Sequence, residues 1–457
     1  MCGISGIIYK KVNNGLEIFE SLLSIQHRGQ DGGGIYCADS EDLTVGKGLI
    51  HNLFTYENLK NMKSQIYLGH TRYKTNDVKN SFQPFTLKNN NLNMSFCHNG
   101  NIINADEIQN IVKTSYDIDK ESNISDSMVL FKFIFCFLNE EFHTNKVVTN
   151  DVIINLSNKL HEIVNGSFSI IFGIKNFGIV AMKDKRGIRP LAYGRNKNND
   201  YLISSESCSL NNVLDYFDIK ELNPGETVIF PFDNEIFSYQ YKNVDFTPCL
   251  FEYIYFSRLD SILNNISIYT IRYKLGELLG KIINKEKIDV DFIIPTPETS
   301  RVYAYGMSNI TNIPIQECII KNRYINRTFI IENKDSISKN VKRKFSIINE
   351  IVKDKNVLLI DDSIVRGNTS RNIINLLKEA GVKNVIFCSA APKITNSNKY
   401  GIYIEKKEEL ISYKNTNETI ASIIGAKKIF YNDLQEIKNL INNLNSSISN
   451  LEISMFL

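Results

Sequence analysis

No histidine stands beyond residue 161 of this 457-residue chain, so whatever chemistry its second half performs is done without imidazole. The six histidines are His27, His51, His70, His98, His143 and His161. Paired cysteines are missing too. The eight, Cys2, Cys37, Cys97, Cys136, Cys208, Cys249, Cys318 and Cys388, never fall as C-x-x-C. That argues against a disulfide framework or a structural zinc site and fits a reduced, cytoplasmic protein. The most apolar run, MVLFKFIFCFL at 128–138, carries Lys132 and is too short to span a bilayer. The N-terminus has no basic stretch followed by a long apolar one, so no signal peptide is expected. A net charge of only +3 gives no polyelectrolyte signal for nucleic acid or a membrane surface.

What is there belongs to a globular protein. Hydrophobic content is 43% and charged content 23%, and 457 residues exceed one ordinary core. Two halves read differently. Residues 2–231 are short apolar segments broken by Gly and Asn, among them ISGIIY, LNMSFCHNG and GSFSIIFGI. Those are strand signals, with helical stretches at ENLKNM and SDSMVLFKFIF. LNPGETVIFPF, 222–232, reads as the closing turn and strand of that half. Residues 232–457 alternate longer helices with buried strands such as VDFIIPTP, NVLLIDD and KNVIFCSAAP, the pattern of βαβ units in a parallel sheet. The tail LINNLNSSISNL is Asn- and Ser-rich and is expected to be a helix that frays.

The strongest internal logic of the second half lies in VLLIDDSIVRGNTS, 357–370. A buried strand delivers Asp361 and Asp362 to its carboxyl end, where parallel sheets place ligands. The following loop enters a helix N-terminus. Gly367 permits close backbone approach, and free N–H groups with Ser363, Asn368 and Thr369 suit a phosphate. The Walker pattern and its Lys are absent. Paired acids beside a phosphate cradle make sense if they accept hydrogen bonds from vicinal ribose hydroxyls. The bland alternative is a solvent-facing acidic turn. Downstream of the first predicted parallel strand, KNRYINRTFI places Lys321, Arg323 and Arg327 close together. They read either as a solvated cationic face or as a flap closing over pyrophosphate, with Lys342, Arg343 and Lys344 adding to the same potential.

In the first half, Arg72 in LGHTRY, Asn99 and Gly100 in HNGN, and Asp126 in NISDSM each have a bland reading: surface ion pair, hairpin turn, helix N-cap. Cys2 gives the set a chemical sense. If Met1 is removed, one residue carries a thiol and an α-amine of reference pKa near 7.7–8.0, able to act as base for that thiol. Attack on a side-chain amide then makes an oxyanion for the Asn99 amide and the Gly100 N–H, while Arg72 and Asp126 pair with an amino-acid carboxylate and ammonium. A Cys–His dyad using His27, His70 or His98 is the competing arrangement, but it leaves the position of Cys2 unexplained.

MCGISGI, QHRGQD, GHTRY, HNGN, GIRPL, SSESC, PGE, CLFEYIYFSRLDS, KNRYINRTFI and VLLIDDSIVRGNTS follow one another in an order that resembles the amidophosphoribosyltransferase family over nearly the whole chain. The resemblance implies an N-terminal-nucleophile αββα sandwich glutaminase domain, α+β in class, followed by an α/β type I phosphoribosyltransferase parallel-sheet domain. It implies conversion of phosphoribosylpyrophosphate and glutamine to 5-phosphoribosylamine, glutamate and pyrophosphate in purine synthesis, with ammonia passing internally between two sites. By the same resemblance, catalysis falls to Cys2, Asn99 and Gly100. Glutamine meets Arg72 and Asp126. Phosphoribosylpyrophosphate meets Lys321, Arg323, Arg327, Asp361, Asp362, Ser363, Arg366, Gly367, Asn368 and Thr369. Mg²⁺ is associated with Ser300, Asp361 and Asp362, and a homotetramer is implied.

Departures from the family pattern are few. Asn368 replaces a usual Thr and Asn326 a usual Gly, and Asn keeps a donor while tolerating unusual backbone angles, so binding is expected to survive. Ile337, Ser338 and Tyr403 stand where basic residues and an Asp are usual, which bears on end-product nucleotide inhibition more than on catalysis. No iron–sulfur cluster is expected, because Cys249 has a counterpart in cluster-bearing members but no cysteine follows Cys388. Other amidotransferases would need sugar-isomerase or ATP-pyrophosphatase motifs. A ribose-phosphate-sensing regulator would need a DNA-binding helix-turn-helix and would have no use for Cys2.

Overall fold

The computed structural model describes residues 2–73, 81–90, 92–116, 123–145, 147–211, 214–232, 235–322, 344–402 and 406–457. In the first half, strand Gly3–Asn13 lies at the centre of a seven-stranded antiparallel sheet. The order is Phe217–Glu221, Ala192–Arg195, Tyr201–Ser204, Gly3–Asn13, Ser64–Arg72, Gly32–Cys37 and Asp42–Lys47. A six-stranded sheet faces it, in the order Phe237–Gln240, Glu226–Pro231, Gly178–Lys183, Gly166–Ile174, Asn93–Ile102 and Phe85–Lys88.

Burial explains why the strands read as apolar runs rather than as alternation. Both faces of each sheet are covered. Ile4, Ile8 and Leu68 meet Cys97, Ile171, Ala181 and Val228 between the sheets. On the outer side of the first sheet, Ile7, Tyr9 and Tyr67 pack under helix Leu16–Ser24. On the outer side of the second, Phe96, Ile170 and Phe172 pack under helices Asp126–Asn145 and Asn150–Ile163. Each such side chain stabilises the fold by about 1.5–3 kcal/mol. The result is the αββα sandwich that the resemblance implied.

The second half is built on four parallel strands in the order Phe292–Pro295, Asn356–Asp361, Asn384–Ser389 and Lys428–Tyr431. Alternate residues of one strand serve opposite layers. Leu358 and Ile360 meet Leu275, Leu279, Tyr303, Met307 and Ile441, from helices Ile268–Lys285, Arg301–Thr311 and Leu434–Leu444. Val357 and Leu359 meet Ile373, Ile374, Leu377 and Ile420, from helices Asn368–Glu379 and Asn417–Ile424.

Two sequence-based expectations are corrected here. The division after residue 231 falls too early. Strand Phe237–Gln240 returns to pair antiparallel with Glu226–Pro231, so the first half's sheet runs past it. The tail does not fray either. Its helix stops at Leu444, and the segment beyond is pinned to the stretch around Cys249. Glu452 N–H donates to Pro248 O (2.9 Å), Leu250 N–H donates to Glu452 O (3.2 Å), and Met455 and Phe456 are buried. Apolar Met455 and Phe456 outweigh the polar stretch before them.

Candidate functional site: two centres in one chain

At the first centre, Cys2 precedes the central strand, and the pairing of Gly3 with Thr71 sets it beside Arg72 and Tyr73. The facing sheet brings up Asn99 and Gly100, which lie within strand Asn93–Ile102 and not in a turn. The backbone nitrogen of Cys2 donates to Asn99 Oδ1 at 3.2 Å, and Cys2 Sγ lies 3.9 Å from the Tyr73 carbonyl oxygen. Asn99 is fully buried, and its Nδ2 has no hydrogen-bond partner among the described residues. A buried, unanswered N–H donor costs about 1–3 kcal/mol unless a ligand meets it. A Cβ on Gly100 would stand 2.0 Å from Ser167 O, so only glycine lets the backbone run this close.

Ser125 rather than Asp126 caps the helix, its Oγ accepting from Met128 N–H at 3.2 Å, which corrects the bland reading of Asp126. Asp126 opens helix Asp126–Asn145, and its Oδ2 accepts from Ile102 N–H at 2.9 Å. That bond ties it to the strand carrying Asn99. The Arg72 guanidinium lies over the Phe82 ring, 5.1 Å from its centroid. His70 and His98 are weak bases. Burial, then Arg72, pushes His70 down to about 3, and burial lowers His98, whose Nδ1 lies 2.8 Å from Ser127 Oγ. Both imidazoles therefore take up a proton less readily than a free histidine.

At the second centre, Asp361 ends its parallel strand and Asp362 follows, both buried. Burial first, and then the neighbouring carboxylate, push Asp361 well above the usual carboxylate range, and burial raises Asp362. Ser300 Oγ donates to Asp361 Oδ1 at 3.1 Å, and Ser363 Oγ to Asp362 Oδ1 at 2.8 Å. Gly367 has φ +75°, the left-handed region, and immediately precedes helix Asn368–Glu379. Asn368 and Thr369 are exposed at that N-terminus, as a phosphate cradle needs. Arg366 forms an ion pair with Glu409 rather than standing free. Lys321 ends a two-stranded ribbon, Ile319–Lys321 against Phe345–Ile347. Arg323, Arg327, Asn326, Ile337, Ser338, Lys342, Arg343 and Tyr403 lie outside the described residues.

The donor set suits a hard cation. Two buried carboxylates stand side by side, and Thr296 Oγ1, on the loop that leads to Ser300, is buried without a partner among the described residues. So few protein oxygens match Mg²⁺ held largely by substrate oxygens. The sequence reading missed Arg28, Glu206 and Glu252. Arg28 Nε donates to the Cys2 carbonyl at 3.1 Å, and its fork reaches Glu206 and Glu252. Each sits in a motif already quoted, QHRGQD, SSESC and CLFEYIYFSRLDS, but a charged residue in such a motif carries no sign of burial.

Fold and sites together define a glutamine amidotransferase joined to a phosphoribosyltransferase. Residues 70–212 match the glutamine amidotransferase domain and residues 266–414 the phosphoribosyl transferase domain. Amidophosphoribosyltransferase of Pasteurella multocida is 35% identical over 100% of this chain and 92% of its own. That of Methanocaldococcus jannaschii is 36% identical over 96% and 94%. Among solved structures, glutamine phosphoribosylpyrophosphate amidotransferase from B. subtilis, complexed with ADP and GMP, is 31% identical. It superposes with TM-score 0.83, covering 96% of this chain and 92% of that one. The chain belongs to the amidophosphoribosyltransferase family.

Proposed function

We propose that the chain converts phosphoribosylpyrophosphate and glutamine to 5-phosphoribosylamine, glutamate and pyrophosphate through the two centres described, as the first committed step of purine synthesis. With Met1 removed, the nitrogen held by Asn99 becomes an α-amine that takes the proton of the Cys2 thiol. Sulfur attacks the glutamine carboxamide carbon. Asn99 Nδ2 and the Gly100 N–H receive the oxyanion, and Arg72 and Asp126 hold the amino-acid end of glutamine. Ammonia leaves, and water releases glutamate from the thioester. Ammonia travels within the chain to the ribose C1, where the bond to pyrophosphate breaks and a C–N bond forms.

Asp361 and Asp362 accept the ribose hydroxyls. Ser363, Arg366, Gly367, Asn368 and Thr369 hold the 5-phosphate, and Lys321, Arg323 and Arg327 face pyrophosphate. Ser300, Asp361 and Asp362 are the positions suited to Mg²⁺, which when bound offsets the charge of the leaving pyrophosphate. The functional partition assigns residues up to about the close of the sandwich to glutamine chemistry and the rest to phosphoribosyl transfer. A cytoplasmic homotetramer is the proposed working form. Its support is the resemblance, together with eight free cysteines and the absence, among the described residues, of a helix long and apolar enough to cross a membrane.

One observation carries the reading: the Asn99 amide takes the Cys2 N–H with its oxygen and leaves its nitrogen buried and unanswered. Pyrophosphate release, assayed with glutamine and then with ammonia as nitrogen source, tests it. Release with both supports two coupled centres, and release with neither rejects the reading. Intact mass tests the start, since retained Met1 forbids the amine-base step.

A further inference from the structure

A carboxylate of the second half reaches into the glutamine centre. Glu252 opens a single π-helical turn, Glu252–Phe256, at the start of the second half, and such turns recur at functional positions. Its oxygens accept from both ends of the Arg28 fork, Nη2 to Oε1 at 2.8 Å and Nη1 to Oε2 at 3.1 Å. The third Arg28 nitrogen, Nε, donates to the carbonyl of Cys2 itself. The two charged side chains are buried, at most 1% exposed. Arg189 Nη1 also bonds Glu252 Oε1 (3.3 Å), and Ser257 Oγ bonds Glu252 Oε2 (3.1 Å).

The turn that carries Glu252 is tied in the other direction as well. The Tyr303 hydroxyl donates to Ile254 O, and Arg272 Nε donates to Tyr253 O at 2.9 Å. Tyr303 rides on helix Arg301–Thr311, which starts directly after Ser300, and the Ser300 hydroxyl is on Asp361. A continuous route therefore runs from the Cys2 carbonyl through Arg28, Glu252 and Tyr303 to the ribose acids. A buried ion pair of this kind adds little stability over apolar packing of equal volume, so stability alone is a weak reason for it.

We propose that Glu252 is a positioning residue of the glutaminase centre, contributed by the phosphoribosyl half. Through Arg28 it fixes the backbone of Cys2, and through Tyr303 and Ser300 it makes that placement respond to filling of the ribose site. The inference rests on the roles proposed above for Cys2 and Asp361. It adds a residue far from glutamine to the determinants of glutamate release.

The test uses the full-chain enzyme and Glu252→Gln, which keeps shape and one acceptor but removes the charge. Glutamate release is measured with and without phosphoribosylpyrophosphate and Mg²⁺, and pyrophosphate release is measured with ammonia. Misplacing a nucleophile by a fraction of an ångström to 1 Å costs roughly tenfold to a hundredfold, so kcat for glutamate release should fall at least tenfold. KM for glutamine should stay within about twofold, because Arg72 and Asp126 are untouched. The ratio of release with and without the ribose substrate should move toward one, while ammonia-dependent synthesis persists. An unchanged kcat and ratio in folded Glu252→Gln overturns the proposal. If that variant does not fold, Tyr303→Phe, which deletes one hydroxyl of the same route, decides: a ratio nearer one supports the proposal and an unchanged ratio overturns it. A wild-type enzyme that releases neither glutamate nor pyrophosphate refutes the proposed function instead.

Discussion

The two centres of this molecule solve opposite electrostatic problems. Around Cys2 the protein presents donors: the Asn99 amide, the Gly100 N–H and the Arg72 guanidinium. In the proposed reaction they meet a developing oxyanion and a carboxylate. At the end of the parallel sheet it presents acceptors, two buried carboxylates whose protonation is favoured by burial and, for Asp361, by its neighbour Asp362, until hydroxyls or a cation meet them. The construction differs too. The first centre is assembled from two facing sheets and a side chain of the other half, whereas the second grows from one strand–loop–helix junction. A site of the first kind depends on how layers dock. A site of the second kind is local and travels with its segment.

The sharpest break between the two is Cys2→Ala. Glutamine-dependent synthesis is expected to fall on the order of 10³-fold or more, the scale for removing a covalent nucleophile, with ammonia-dependent synthesis kept. Both are read by pyrophosphate release, and loss of the ammonia reaction as well would show that the centres are not separable. The converse is Asp361→Asn with Asp362→Asn. Phosphoribosylpyrophosphate turnover should drop on the order of 10²-fold or more while basal glutamate release survives. Because the acids are held unfavourably in their charged form, the same double variant should melt at a higher temperature at neutral pH.

A smaller effect is expected from Arg72→Ala. Losing one charge-assisted contact of about 1.5–3 kcal/mol should raise the KM for glutamine roughly tenfold to a hundredfold, and isotope-labelled glutamine turnover would measure it. The smallest effect concerns acid. Burial alone would raise the Glu206 carboxyl, but His27 and Arg28 outweigh it and hold it well below its ordinary 4.5. A depressed folded value means its stabilisation is fully present above pH 4.5 and is lost as pH falls through that lower value. Circular dichroism during acid titration should show stability declining below pH 4.5, and Glu206→Gln should flatten that slope.

How much could be read in advance follows the same division. Asp361, Asp362, Gly367 and Thr369 fall within one short stretch, so their spacing announced a βα junction and the structure has one. Asn99 and Asp126 were recognisable by motif, yet Asn-Gly is also a turn signal, and only pairing with Gly166–Ile174 shows that it lies in a strand. Arg28 and Glu252 are 224 positions apart, and charge in sequence argues for a surface, so nothing local disclosed a buried pair. The seam between the halves was misplaced because FSYQ is short and half-exposed, with too little apolar alternation to mark a strand.

The central place of the first strand has a consequence for biosynthesis. Gly3–Asn13 is hydrogen-bonded on one side to Ser64–Arg72 and on the other to Tyr201–Ser204, so this strand cannot gain both neighbours until some 200 residues of later chain have left the ribosome. At roughly 5–20 residues per second, that interval lasts roughly 10–40 s. For most of it only the neighbour on one side, Ser64–Arg72, is available to the strand. Excision of the initiator methionine, which the proposed mechanism needs, is therefore expected on the nascent chain, before the sheet is complete.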